Sequence, residues 1–229
     1  MFIGGFQKIS LIDYPGKICS IVFTVGCNFR CGYCHNPELV IPKQYPKRIP
    51  LDEILSFLLK RKGKIDAITI TGGEPTLHPD LANFMRSIKK LGFLIKLDSN
   101  GTNPKSLQNI IDNKLINYLA MDIKAPLEKY SNIANVPVDI NKIKQSIELV
   151  MNSGIPYEFR TTVVKSQLNK NDFLKIGQLI KGSRLYALQK FIPTKANDSR
   201  FLKEKTYSDQ EFSSLQNIIS PFVQQCIVR

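Results

Sequence analysis

Short β-branched and apolar runs alternate with segments of helical period along most of this chain, and that alternation restricts its fold more than any other feature. Residues 17–24, 67–71, 93–98, 118–123, 157–164 and 185–191 read as strands. Helices are expected over 51–62, where Leu51, Ile54, Leu55, Leu58 and Leu59 recur at helical spacing, and over 79–91, 104–113, 140–152 and 171–181. Pro104 suits a first helical turn, Gly154 and Gly182 follow helix ends, and Ser208 caps a last helix to about residue 219. Residues 222–228 close the chain as a short strand or extended tail. Strands alternating with helices imply right-handed βαβ units and a parallel sheet with helices outside. Six strands fit a partial (β/α)6 barrel or an open doubly wound sheet, and periodicity does not separate the two.

Ligands of parallel α/β folds bind beyond the carboxyl ends of the strands, where the βα loops converge. A run of cysteines follows the first strand. Gly72-Gly73-Glu74-Pro75 follows the second, two side-chain-free residues that let backbone groups approach a ligand. Asp98-Ser99-Asn100-Gly101 follows the third, Asp122 and Lys124 belong to the fourth, Arg160 lies in the fifth, and Thr194 and Lys195 follow the sixth. Each has a plainer reading. GGEP and Ser-Asn-Gly are good turn chemistry, Asp122 and Lys124 make an ion pair, Arg160 pairs with Glu158 or another acid at the barrel rim, and Tyr33 covers apolar surface. Their common location favours one shared cavity.

The cysteine run is Gly26-Cys27-Asn28-Phe29-Arg30-Cys31-Gly32-Tyr33-Cys34-His35, a C-x3-C-x2-C spacing. A closed zinc site wants four ligands, commonly two pairs, and no second C-x2-C lies downstream. Cys31 to His35 also spells the haem-attachment pattern C-x-x-C-H, which leaves Cys27 unexplained. Three thiolates instead suit an iron–sulfur cube with one iron left open to a small molecule. After Cys34 the next cysteine is Cys226, so no second cluster domain is expected.

At 229 residues with 43% hydrophobic content, one domain spanning 1–229 is expected. No signal-peptide pattern or bilayer-length apolar run appears, and the crowded cysteines do not form a disulfide framework, so the reading is a cytoplasmic protein without membrane contact. The net charge of +13 would attract an acidic partner, but the lysines are dispersed without an aromatic-basic RNA signature, and a solvated surface is the better reading.

With these motifs, the chain resembles the radical S-adenosylmethionine (SAM) enzymes, and among them the activases that install a glycyl radical on a partner, nearest to the activating proteins of anaerobic ribonucleoside-triphosphate reductase. The likeness is carried by residues 4–17 (GGFQKISLIDYPGK), by Val22-Phe23-Thr24, and by residues 26–39 with Cys34-His35-Asn36, a run that pyruvate formate-lyase activases share. The resemblance implies a partial (β/α)6 TIM-like barrel in which Cys27, Cys31 and Cys34 hold a catalytic [4Fe-4S] cluster whose fourth iron chelates SAM. It implies that Tyr33, Gly72, Gly73, Glu74, Ser99, Asn100, Lys124 and Arg160 bind SAM. Asp98 and Asp122 stand where a formate-lyase activase places ligands to a monovalent cation, and Lys195 replaces a SAM-contacting histidine. The implied reaction is reductive cleavage of SAM to a 5′-deoxyadenosyl radical that abstracts a glycine Cα hydrogen. Its partners are a glycyl-radical enzyme, of the anaerobic reductase or pyruvate formate-lyase type, and an electron donor such as flavodoxin or ferredoxin. A radical SAM enzyme acting on a small molecule is the alternative.

Overall fold

The computed structural model describes residues 1–229. Eight strands form one sheet in sequential order: β1 (Ile3–Ser10), β2 (Cys19–Thr24), β3 (Ala67–Gly72), β4 (Leu94–Ser99), β5 (Tyr118–Asp122), β6 (Tyr157–Val163), β7 (Leu185–Lys190) and β8 (Gln225–Val228). All neighbours from β2 onward are parallel, and β1 runs antiparallel to β2. The helices are α1 (Leu51–Lys60), α2 (Leu81–Lys90), α3 (Pro104–Asp112), the short α4 (Tyr130–Ala134), α5 (Ile140–Asn152), α6 (Lys170–Leu179) and α7 (Asp209–Ile219).

Sequential order is the observation that separates the two candidate folds. A doubly wound sheet reverses its strand order at a switch point, whereas here every crossover steps the same way. With right-handed crossovers all helices fall on one face, and the sheet curls around its other face into a partial barrel. The six expected strands are β2 to β7, and the structure adds one at each edge. β8 is the tail whose form was open. β1 escaped the sequence reading because Gly4-Gly5 and a half-exposed pairing leave no clean alternation; at Gly4 a Cβ would meet Val25 at 2.5 Å and the Pro46 ring at 2.6 Å.

The helices form for local reasons. Asn169 with Asp172 and Ser208 with Glu211 make complete capping boxes at the starts of α6 and α7. In α2 the residues Leu81, Phe84, Met85 and Ile88 are buried while Lys89 and Lys90 close the last turn, the arrangement an amphipathic helix and its macrodipole favour. These faces pack on outward strand residues such as Ile68, Ile70, Ile95, Leu97, Leu119 and Phe159 in one large core. Each large side chain so buried contributes about 2 kcal/mol.

Strand alternation sends the intervening residues into the barrel. Register places Lys96 beside Thr69 and Tyr118, Asp98 beside Ala120, and Asp122 beside Arg160, so these polar groups share the inner face. At the amino ends of the strands the β1–β2 connection folds under the barrel. Tyr14 is buried with Cys19, Ile21, Ala67 and Tyr118, its ring 5.8 Å from that of Tyr118. The floor is therefore plugged, and the open end is the carboxyl one.

Candidate active site

The cysteine loop leaves β2 and is fastened by backbone groups of four other segments. Gly26 N donates to Leu39 O at 2.7 Å, Glu74 N to Gly26 O at 2.8 Å, Arg30 N to Ala134 O at 2.8 Å and Asp198 N to Gly32 O at 2.9 Å. Arg30 Nη1 donates to the carbonyls of Cys27 and Phe29 at 2.6 and 2.8 Å. Phe201 closes the outer side so tightly that a Cβ on Gly32 would lie 2.4 Å from its ring. Gly72 and Gly73 serve this fastening as well. Gly72 has φ +119, and a Cβ on Gly73 would meet Gly26 O, so these glycines bring two backbones together rather than only admitting a ligand.

A cavity of about 200 Å³ opens above β2 to β6. Its lining includes Cys27, Cys31, Tyr33, Cys34, Gly72, Gly73, Glu74, Asp98, Ser99, Asn100, Asp122, Lys124 and Arg160, so the strand-end candidates from β2 to β6 meet the same space. Phe29, His35, Asn36, Val40, Thr71 and Thr162 complete it.

The polar residues divide into two systems. Glu74 is buried, and its carboxylate accepts from Thr76 N at 3.1 Å, Ser99 Oγ at 2.9 Å and Asn100 N at 2.7 Å. Burial pushes its pKa up against the pull of those donors. Asn100 Nδ2 donates to Asn28 Oδ1 at 2.9 Å, tying the end of β4 to the cysteine loop. Glu74, Ser99 and Asn100 thus brace three loops against one another.

The second system is ionic. Arg160 Nε donates to Asp122 Oδ1 at 2.9 Å and its Nη1 to Asp98 Oδ2 at 3.1 Å. Lys124 Nζ holds Asp122 Oδ2 at 2.9 Å, and Lys96 Nζ holds Asp98 Oδ1 at 2.5 Å. Burial alone would raise both carboxyls, but Arg160 with Lys124 and Lys96 holds Asp122 and Asp98 below the usual carboxylate range. Burial likewise opposes charge on Lys124, and Asp122, Tyr33 and Cys31 overcome it, keeping its pKa well above the ordinary lysine value. Arg160 does not pair with Glu158, which Arg229 takes at 2.8 and 3.0 Å. All four oxygens of Asp98 and Asp122 face cations of this chain, so that a monovalent cation seated between them would join three positive charges on two carboxylates. Lys96 was missed in the sequence, although lysine two residues before an acid in an otherwise apolar strand was a legible signal of an inward ion pair.

Thr194 and Lys195 do not join the site. Lys195 Nζ pairs with Glu38 Oε2 at 2.6 Å with its side chain half exposed, because the chain beyond β7 turns outward over the cysteine loop. His35, the residue that completed the haem pattern, stacks on Phe191 at 5.1 Å and its Nε2 donates to Ile192 O at 2.9 Å.

The donor set fits a cube better than a single ion. Cys27, Cys31 and Cys34 line one cavity, yet no three His, Cys, Asp or Glu side chains converge to hold one metal ion. Burial raises all three thiols, Cys27 to about 12, so bound metal must supply the charge that ionises them. The Tyr33 hydroxyl is buried here without a hydrogen-bond partner. No helix is long and apolar enough to cross a membrane.

Comparison with known proteins agrees. Residues 21–180 match the model of the radical SAM superfamily. MJ1227 of Methanocaldococcus jannaschii, itself inferred to be a glycyl-radical enzyme activating enzyme, is 34% identical over 235 residues, covering 99% of this chain and 95% of that one. The pyruvate formate-lyase-activating enzyme of Clostridium pasteurianum is 32% identical over 127 residues, 53% of this chain and 52% of its own. Among solved structures, Streptococcus suis SuiB bound to S-adenosylmethionine superposes with a TM-score of 0.68 at 13% identity, covering 91% of this chain and 49% of that one. The Escherichia coli coproporphyrinogen III oxidase HemN has a TM-score of 0.60 at 15% identity, covering 91% and 53%. From its strand order, its three-cysteine cavity and these likenesses, the chain belongs to the radical SAM superfamily of [4Fe-4S]- and SAM-dependent enzymes and is homologous to glycyl-radical enzyme activating enzymes.

Proposed function

We propose that this enzyme installs a glycyl radical on a partner enzyme, with anaerobic ribonucleoside-triphosphate reductase as the target. The observation that carries the activase reading is the end-to-end likeness to MJ1227, in which both chains are covered almost completely. The reductase is favoured by the run at residues 4–17, of which Tyr14 is buried at the floor of the barrel. A second reading, activation of pyruvate formate-lyase, is favoured by the relatives of that name from Clostridium pasteurianum and Staphylococcus aureus.

In this reading Cys27, Cys31 and Cys34 would hold the cluster, which when reduced would supply the electron for reductive cleavage of SAM to methionine and a 5′-deoxyadenosyl radical. Lys124 and Arg160, cations at the cavity wall, receive the SAM carboxylate. Backbone groups of Gly72 and Gly73 receive its amino group, with Glu74, Ser99 and Asn100 holding those groups in place. Tyr33, Phe29 and Val40 form an apolar wall that keeps water and stray hydrogen donors from the reacting centre. The sheet stays open between β1 and β8, a gap a protein partner can cover while its glycine loop enters; glycine lacks the Cβ that would obstruct entry. Flavodoxin or ferredoxin serves as electron donor.

The test is anaerobic incubation of the reconstituted protein with SAM, reductant and each purified candidate partner. The expected result is a glycine-centred EPR doublet on the reductase. A doublet on the lyase alone moves the assignment to the second reading, and SAM cleavage without a doublet on either overturns the activase reading.

A further inference from the structure

Among the cations that meet Asp98 and Asp122, Lys96 is the most deeply buried, its side chain only 4% exposed and behind the cavity wall rather than in it, and nothing said so far of SAM requires it. An ammonium placed so deep carries a large desolvation penalty unless a counter-charge meets it. Its hydrogen-bond partner is Asp98, and Asp98 is shared with Arg160. The result is an alternating row, Lys96–Asp98–Arg160–Asp122–Lys124, in which each carboxylate lies between two cations. Remove the first ammonium and Asp98 keeps one partner, which is also bound to Asp122. Arg160 is then drawn toward Asp98, and its grip on Asp122 loosens. No other charged group facing this part of the barrel can replace Lys96, since Arg229 is held by Glu158, and Glu158 and Glu74 are themselves anionic groups.

We propose that Lys96 is a tethered monovalent cation: a positioning residue whose ammonium fills the cation position on Asp98 and so fixes Arg160 and Lys124 for the SAM carboxylate. The wild-type site then needs no free sodium or potassium, and loss of the side chain creates a need for one. This rests on SAM lying in this cavity, so one arm of the test omits SAM altogether.

In the first arm, reconstituted wild-type protein binds SAM, without reductant, equally well in potassium and in tetramethylammonium chloride of the same ionic strength. Lys96→Ala binds roughly tenfold more weakly in tetramethylammonium and recovers with potassium or methylammonium, whereas Lys96→Met, whose side chain fills the space, does not recover. In the second arm, on protein without cluster or SAM, the melting temperature of Lys96→Ala rises with potassium over tetramethylammonium and that of the wild type does not. Wild-type SAM affinity that climbs with potassium overturns the proposal, and this holds even if the alanine variant fails to fold. A folded Lys96→Ala indifferent to small cations in both arms overturns it too. Absence of SAM binding by the wild type, with the melting response intact, sinks the SAM placement and leaves the tethered cation standing.

Discussion

A Cβ added to Gly73 would stand 2.0 Å from the carbonyl oxygen of Gly26. The β3 turn and the cysteine loop are in backbone contact at that point, joined by the bond from Glu74 N to Gly26 O. Gly73→Ala must push the two apart, because a backbone atom is the obstacle and no side chain can rotate away. The expected cost is about 3 kcal/mol, together with a loss of bound iron and sulfide after anaerobic reconstitution. Normal cluster content in the variant would show that the contact does not shape the cysteine loop.

Glu74 supports the site through other groups. Glu74→Ala leaves Asn100 N–H and the Ser99 and Thr76 hydroxyls without their acceptor and is expected to cost about 3 kcal/mol, while Glu74→Gln, which keeps one acceptor oxygen, costs about 1 kcal/mol. Urea unfolding and SAM affinity should decline together across the two variants. A glutamine variant with native stability and abolished SAM binding would instead make the carboxylate a direct ligand.

Acid should weaken the protein through Asp98 and Asp122. Their folded pKa values lie below the ordinary carboxyl value, so their contribution is complete above the unfolded value of about 3.9 and drains away as pH falls toward the folded ones. Glu74, whose pKa is raised, acts in the opposite sense, its contribution falling as pH rises through its folded value. Asp122→Asn should lower stability near pH 7 by about 3 kcal/mol, since Lys124 and Arg160 lose a counter-charge. It should also flatten the acid limb of a stability–pH curve measured by urea titration. An unchanged acid limb would refute the assignment.

Lys195→Ala should leave SAM affinity unaltered and change stability by about 0.5 kcal/mol, the range of an exposed ion pair. Equilibrium dialysis of SAM against the reconstituted variant checks this. A tenfold loss would return Lys195 to the site.

The barrel was legible in the sequence from β2 to β7 because buried parallel strands and amphipathic helices each carry their own period, and the site was legible because chemistry collects where such strands end. Thirteen site residues share one cavity for that reason. β1 left no signal, since its two glycines and half-exposed residues carry no alternation. Lys195 stands among the strand-end residues by position in the chain and lies outside the cavity lining by the path of the chain.

The amino-acid order by itself therefore determined the repeating βαβ units, the three-thiolate loop and the strand-end residues, all of which depend on neighbours close in sequence. Periodicity left barrel and open sheet undecided, and the strand order bears out the barrel that the family likeness implied; tertiary structure alone decided partners: Glu74 with Ser99 and Asn100, Arg160 with two aspartates, Lys96 with Asp98 inside the barrel. The physical reason is that strand order and inward register bring together charges from four different strands and loops, and a buried charge is satisfied by whichever group the fold sets beside it.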